Sequence, residues 1–152
     1  MTFRKLAQKT ENVELVKCYK LDEIHYSISA GSEPMTEFYK GEAQAILKNL
    51  SSMPFEDCYP LSRGCLDIPT CPGIYAIRHQ DEGILYIGVA VKLRRRFKDG
   101  HKAFFWAFLD YCTPDEIRIA AELMGYQSFQ RAEDLETLMI RIARPRYDSL
   151  IK

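Results

Sequence analysis

A chain of 152 residues with 47% hydrophobic and 28% charged side chains is long enough for one substantial core, with at most a small appendage, and reads as an ordinary globular protein. Its 21 Lys and Arg balance its 21 Asp and Glu. The zero net charge argues against a large non-specific nucleic-acid surface, while leaving room for a local basic patch. No apolar run approaches the ~18 residues of a membrane span. The start also lacks the basic-then-apolar pattern of a signal peptide, so no membrane and a cytoplasmic location are expected.

Five cysteines, Cys18, Cys58, Cys65, Cys71 and Cys112, form no C-x-x-C pair, so reduced thiols are expected. The alternative is a metal site using Cys58, Cys65 and Cys71.

In chain order, Ile24, Tyr26 and Ile28 alternate with polar residues, as in a strand. Gly31-Ser32 breaks it, and Ser32 or Glu33 ahead of Pro34 marks a helix start. Met35, Phe38, Ala45, Ile46 and Leu50 give that helix an apolar face, with Gly41 costing about 1 kcal/mol relative to alanine. Residues 51–72 hold four prolines and read mostly as loop. Ile74 to His79 and Ile84 to Ile87 read as a hairpin turning at Asp81-Glu82-Gly83. Residues 91–98 look helical, and Phe104 to Phe108 is an aromatic-rich stretch around Trp106. A turn at Pro114-Asp115-Glu116 leads into a third strand, Ile117 to Ala121. Leu135, Leu138, Met139 and Ile142 form one stripe of a helix from Gln130 to Ala143, which Pro145 ends. The fold class is therefore α/β: a small three-stranded antiparallel sheet flanked by helices, with an N-terminal α/β extension.

The chemistry-bearing residues cluster in the second half. Gly73-Ile74-Tyr75 and Tyr86-Ile87-Gly88 place two tyrosines eleven positions apart. Lys92, Arg94, Arg95, Arg96 and Lys98 follow as five basic side chains, with His101 beyond them and Glu136 on the last helix. Over about residues 71–149 this arrangement resembles the GIY-YIG nuclease family, whose members cut DNA phosphodiester bonds with a divalent metal. The expected domains are thus residues 1–70, an extension of unassigned role packed on the core, and residues 71–152, the GIY-YIG-like domain.

The resemblance implies a role for each matched residue. Tyr75 is the general base, Tyr86 hydrogen-bonds the attacking water or the scissile phosphate, and Arg96 steadies the phosphate's developing charge. His101 relays a proton or contacts phosphate. Glu136 holds Mg²⁺ or Mn²⁺ as a single carboxylate ligand, with waters and phosphate oxygens completing the shell and Glu133 near enough to assist. Lys92, Arg94, Arg95 and Lys98 are backbone contacts that position DNA. Where the family commonly has asparagine after the last helix, this chain has Asp148.

Read without the resemblance, paired strand aromatics are ordinary packing, a basic run is a solvated helix face, and a lone helix glutamate is surface charge. The expected activity is metal-dependent DNA endonuclease. Two other readings stand beside it: a catalytically weak nucleic-acid-binding module of the same fold, and a protein-interaction domain using Phe104 to Phe108. Cutting two strands calls for residues 1–70, a second subunit in a homodimer, or both.

Overall fold

The computed structural model describes residues 35–61 and 65–148. The strand expected at residues 24–28 and the helix start at Ser32 to Pro34 lie outside the described residues. Helix α1 (Met35–Ser52) comes first, then a two-residue strand β1 (Tyr59–Pro60). The hairpin β2 (Gly73–His79) and β3 (Gly83–Ala90) follows. Two short helices, α2 (Leu93–Lys98) and α3 (Lys102–Leu109), precede strand β4 (Ile117–Leu123) and helix α4 (Ala132–Ala143).

Among the described residues the sheet is antiparallel with strand order β1-β4-β2-β3. The three expected strands are present. The proline-rich loop adds β1 at the edge, where Tyr59 opposes Ile119 and Pro60 needs no ladder hydrogen to give.

Strand alternation sends successive side chains of β2 to opposite faces. Tyr75 and Ile77, with Tyr86, Ile117 and Ile119, face a core closed by Leu93 and Phe97 of α2 and Ala103 and Ala107 of α3. Ile74 and Ala76, with Ile87 and Ala120, face a second core closed by α1 and by Leu135 and Met139 of α4. Covered on both sides, β2 is buried along nearly its whole length. Truncating Leu135 or Met139, both fully buried, would cost about 2–5 kcal/mol.

Helix α1 buries Ala43, Ile46 and Leu50, with Tyr39 and Leu47 alongside. Ile46 and Leu50 are where the sequence pattern put them. Phe38 and Ala45 are exposed, because each lies one position off the 39/43/46/50 line that meets α4. Arg131, just ahead of α4, donates from Nε and Nη2 to the Glu42 carboxylate, each at 3.0 Å, pinning α1 to α4.

Cys58, Cys65 and Cys112 carry free thiols. Cys71 is disulfide-bonded, which corrects the expectation of a reduced thiol there. Cys58 and Cys65 belong to the cores on opposite faces of the sheet, so the three-cysteine metal site does not form. No helix of the described residues is long and apolar enough to cross a membrane.

Candidate active site

The hairpin register builds the centre. Tyr75 stands opposite Gly88, and Tyr86 stands opposite Ile77 two positions along. Diagonal neighbours of this kind share a face, and the two tyrosine rings lie 6.1 Å apart. Gly88 is required by this geometry. A Cβ there would overlap the outer end of the Tyr75 ring, so any larger residue would push the phenol off its seat. At Gly73, a Cβ would stand 2.6 Å from the carbonyl oxygen of Glu122 across the strand pair.

Two donors converge on the Tyr75 hydroxyl. Arg96, on α2, brings Nε to 3.2 Å from Oη, and His101 brings Nε2 to 2.8 Å. Phe97, one residue after Arg96, turns inward and meets the Tyr75 ring edge-on at 4.8 Å. Gly100 allows the tight connection that follows. Its φ of +91° is left-handed, which lets the chain leave α2 and present His101 as the N-cap of α3.

The N-cap contact fixes the imidazole. Ala103 N–H donates to His101 Nδ1 at 3.1 Å, so Nδ1 carries no proton and the hydrogen sits on Nε2, where it donates to Tyr75 Oη. Burial, reinforced by the nearby Arg96 charge, holds the imidazole pKa down at about 4. His101 is therefore neutral at pH 7.

Burial pushes the Tyr75 phenol well above the usual tyrosine range, and the Tyr86 hydroxyl adds to that. The Arg96 hydrogen bond and charge oppose it, and the Glu136 carboxylate adds to it again. Burial works against the Arg96 charge, but contacts with Tyr75 and Tyr86 more than offset it and keep the guanidinium charged. Glu136, partly buried on α4, is thus close enough to Tyr75 to be felt electrostatically.

The site residues expected from sequence do not all share one environment. Tyr75, Tyr86, Arg96 and His101 are in mutual contact, and Glu136 acts electrostatically on Tyr75 from α4. Lys92, Arg95 and Lys98 are exposed, and the first two line a surface cleft of about 540 Å³ together with Arg96, Val91 and Asp99. Arg94 is turned the other way, donating from Nε to the Ile68 carbonyl at 2.7 Å. Glu133 is exposed on the first turn of α4. Among the described residues, no three His, Cys, Asp or Glu side chains converge as a preformed metal cage. Sequence reading did not single out Phe97 as a wall of the site, since the basic run around it masked its inward face. It also missed Ala103, whose contribution is a backbone N–H with no signature in residue type.

The family comparison matches the GIY-YIG catalytic domain over residues 71–148. The chain belongs to the GIY-YIG family. Membership assigns it a nuclease function at the level of the family. Neither a curated protein nor a solved structure matches the chain. In this GIY-YIG chain the two name motifs are the facing stretches of β2 and β3, with the tyrosines on one side and glycine opposite. Asp148, at the end of the matched region, is buried and accepts Ile87 N–H at 3.0 Å through Oδ2, closing the chain end onto the second motif.

Proposed function

We propose that this GIY-YIG chain is an endonuclease that hydrolyses DNA phosphodiester bonds by tyrosine-assisted attack of water. The single observation that carries the reading is the convergence of Arg96 Nε and His101 Nε2 on the Tyr75 hydroxyl. Ordinary aromatic packing does not need two hydrogen-bond donors aimed at one buried phenol oxygen.

The donors define the chemistry. As a phenolate, Tyr75 takes a proton from the attacking water; the water oxygen bonds to phosphorus while the P–O bond to the departing sugar oxygen breaks, and that oxygen takes a proton from solvent. Arg96 and His101 hold the phenolate by donating to it, and the Arg96 charge beside Tyr75 and Tyr86 stabilises a phosphoryl oxygen brought against them. His101 orients Tyr75 and does not serve as a base, because its one unprotonated nitrogen is used by Ala103. Tyr86 positions the water or the phosphate. Lys92 and Arg95 take neighbouring phosphates along the cleft, and exposed Lys98 meets one beside it.

Burial and the Tyr86 hydroxyl raise the Tyr75 phenol pKa more than the Arg96 contact lowers it, so a cation bound near the site would favour the phenolate. A single carboxylate fits Mg²⁺ or Mn²⁺, which takes its remaining ligands from water and phosphate. When bound there, such an ion supplies the charge that favours phenolate and stabilises the phosphoryl oxygens. The residues therefore fit the group, with Glu136 as its protein ligand.

The departure from the family asparagine gives no support to the weak-binder reading, since the Asp148 carboxylate serves Ile87 N–H, a contact an asparagine oxygen would make equally well. Residues 1–70 are taken as an extension of the matched domain, and the cytoplasm as its place of action. Incubation of wild type with supercoiled, linear and branched DNA, with Mg²⁺ or with chelator, tests the proposal. Metal-dependent strand breaks support it; tight binding without breaks transfers the case to the binding module.

A further inference from the structure

The aromatic stretch after the catalytic cluster divides between inside and outside. Phe104 and Trp106 pack on the core beneath α3, whereas Phe105 is 61% and Phe108 47% exposed, with Leu109 exposed beside them. Positions 105, 108 and 109 share one stripe of the helix, and exposed Lys102 lies one turn ahead of it. The helix closes with Cys112 N–H donating to the Ala107 carbonyl and Tyr111 N–H to that of Phe108. That pattern puts Tyr111 at the left-handed position where glycine is usual. Its φ is +64° and it is 94% exposed, so a conformation that side chains enter only at a cost is held here by a tyrosine that buries nothing within its own chain.

Charge distinguishes between occupants. The leading end of the stripe carries Lys102, with Lys98 and Asp99 just ahead of it in the chain, and its trailing end carries Asp110, Asp115 and Glu116. At the trailing end, Asp110 is paired with Arg146, and Glu116 caps the Thr113 turn, yet the balance there stays acidic. A phosphodiester backbone would be repelled by that end. A second copy of the same helix, packed antiparallel, sets basic end against acidic end twice.

We infer that the outer face of α3 is a self-association surface, on which a second copy of this chain packs antiparallel through Phe105, Phe108, Leu109 and Tyr111. The two-fold arrangement makes the same patch serve both partners. Zero net charge leaves no long-range repulsion to oppose it. The patch is small beside the ~800 Å² per partner of a standard interface, so the dimer is weak, with a Kd in the range of about 1–100 μM. One copy carries one Tyr75 centre; the pair would carry two, one for each strand of a duplex.

Sedimentation velocity of the full chain, from about 1 μM to about 200 μM across that Kd range, tests this without reference to activity. A failure of the nuclease reading therefore leaves it untouched. The mass is expected to rise from the 17.6 kDa monomer toward twice that value. Phe105→Glu and Phe108→Glu should each hold it at monomer mass, with circular dichroism showing both variants folded. A wild type monomeric at every concentration would overturn the inference, as would a dimer that persists in both variants. So would a monomeric wild type whose binding to a single-stranded oligonucleotide weakens on Phe105→Ala, since the face would then belong to nucleic acid.

Discussion

The Tyr75 hydroxyl receives a hydrogen bond from His101 Nε2 at 2.8 Å because the opposite ring nitrogen is already engaged by Ala103 N–H at 3.1 Å. One backbone amide at the start of α3 thus sets the tautomer that orients a side chain on β2. His101 should therefore act through its N–H, and a side chain that keeps a donor should retain part of its effect. His101→Gln is expected to lose less activity than His101→Ala, for which a fall of about 10²-fold is expected. Single-turnover cleavage rates measure the difference, and equal losses would speak against a donor role.

Acid stability follows from the same imidazole. The folded pKa is about 4 against an ordinary value of 6.5, so between these limits the unfolded chain binds the extra proton. This contribution to stability is whole above pH 6.5, falls as pH drops through the window, and is gone near pH 4. Its size is on the order of 3 kcal/mol. Urea unfolding at pH 7 and pH 4.5 should show the loss in wild type and a shallower one in His101→Gln.

Gly88→Ala should damage the site while sparing most of the fold. The added methyl meets the Tyr75 ring, and overpacking of this kind costs about 1–3 kcal/mol. Cleavage should fall far more than stability, because the displaced phenol loses both of its donors. A thermal melt beside the cleavage assay separates the two effects, and unchanged activity would contradict the seating of Tyr75 against Gly88.

At Asp148, the contact to Ile87 N–H needs only an acceptor. Asp148→Asn should leave stability within about 1 kcal/mol of wild type, while Asp148→Ala should cost about 1–3 kcal/mol by stranding a buried amide. Denaturant midpoints decide it. A large loss of cleavage in a stable Asp148→Asn would mean that the carboxylate does more than hold the chain end.

Much of this was legible in sequence, for identifiable reasons. The hairpin announced itself through a turn glycine between two short runs rich in β-branched and aromatic residues, and α4 through its Leu135/Met139 stripe ended by Pro145. Same-face tyrosines followed from strand alternation. The two-residue strand β1 gave no signal, since Tyr59-Pro60 is too short to show a period. Helix α1 was found with its face turned by one residue, because Phe38 and Ala45 are apolar without being core. At the site, the family resemblance and its spacing singled out Tyr75, Arg96 and His101, whose residue types by themselves read as strand packing and a solvated basic face. Arg94 could not be told from its neighbours, because its bond to the Ile68 carbonyl depends on a loop no pattern describes. The Ala103 amide is invisible to any reading of side chains.

The most direct test of the central claim is cleavage of supercoiled plasmid in Mg²⁺ by wild type, Tyr75→Phe and Glu136→Ala, with DNA binding measured for each. Tyr75→Phe removes only the hydroxyl on which Arg96 and His101 converge, and Glu136→Ala only the carboxylate proposed to hold the ion. This chemistry gives metal-dependent cutting by wild type, a loss of about 10³-fold or more in both variants, and DNA affinity within a few-fold of wild type. Cutting by Tyr75→Phe at the wild-type rate would contradict it.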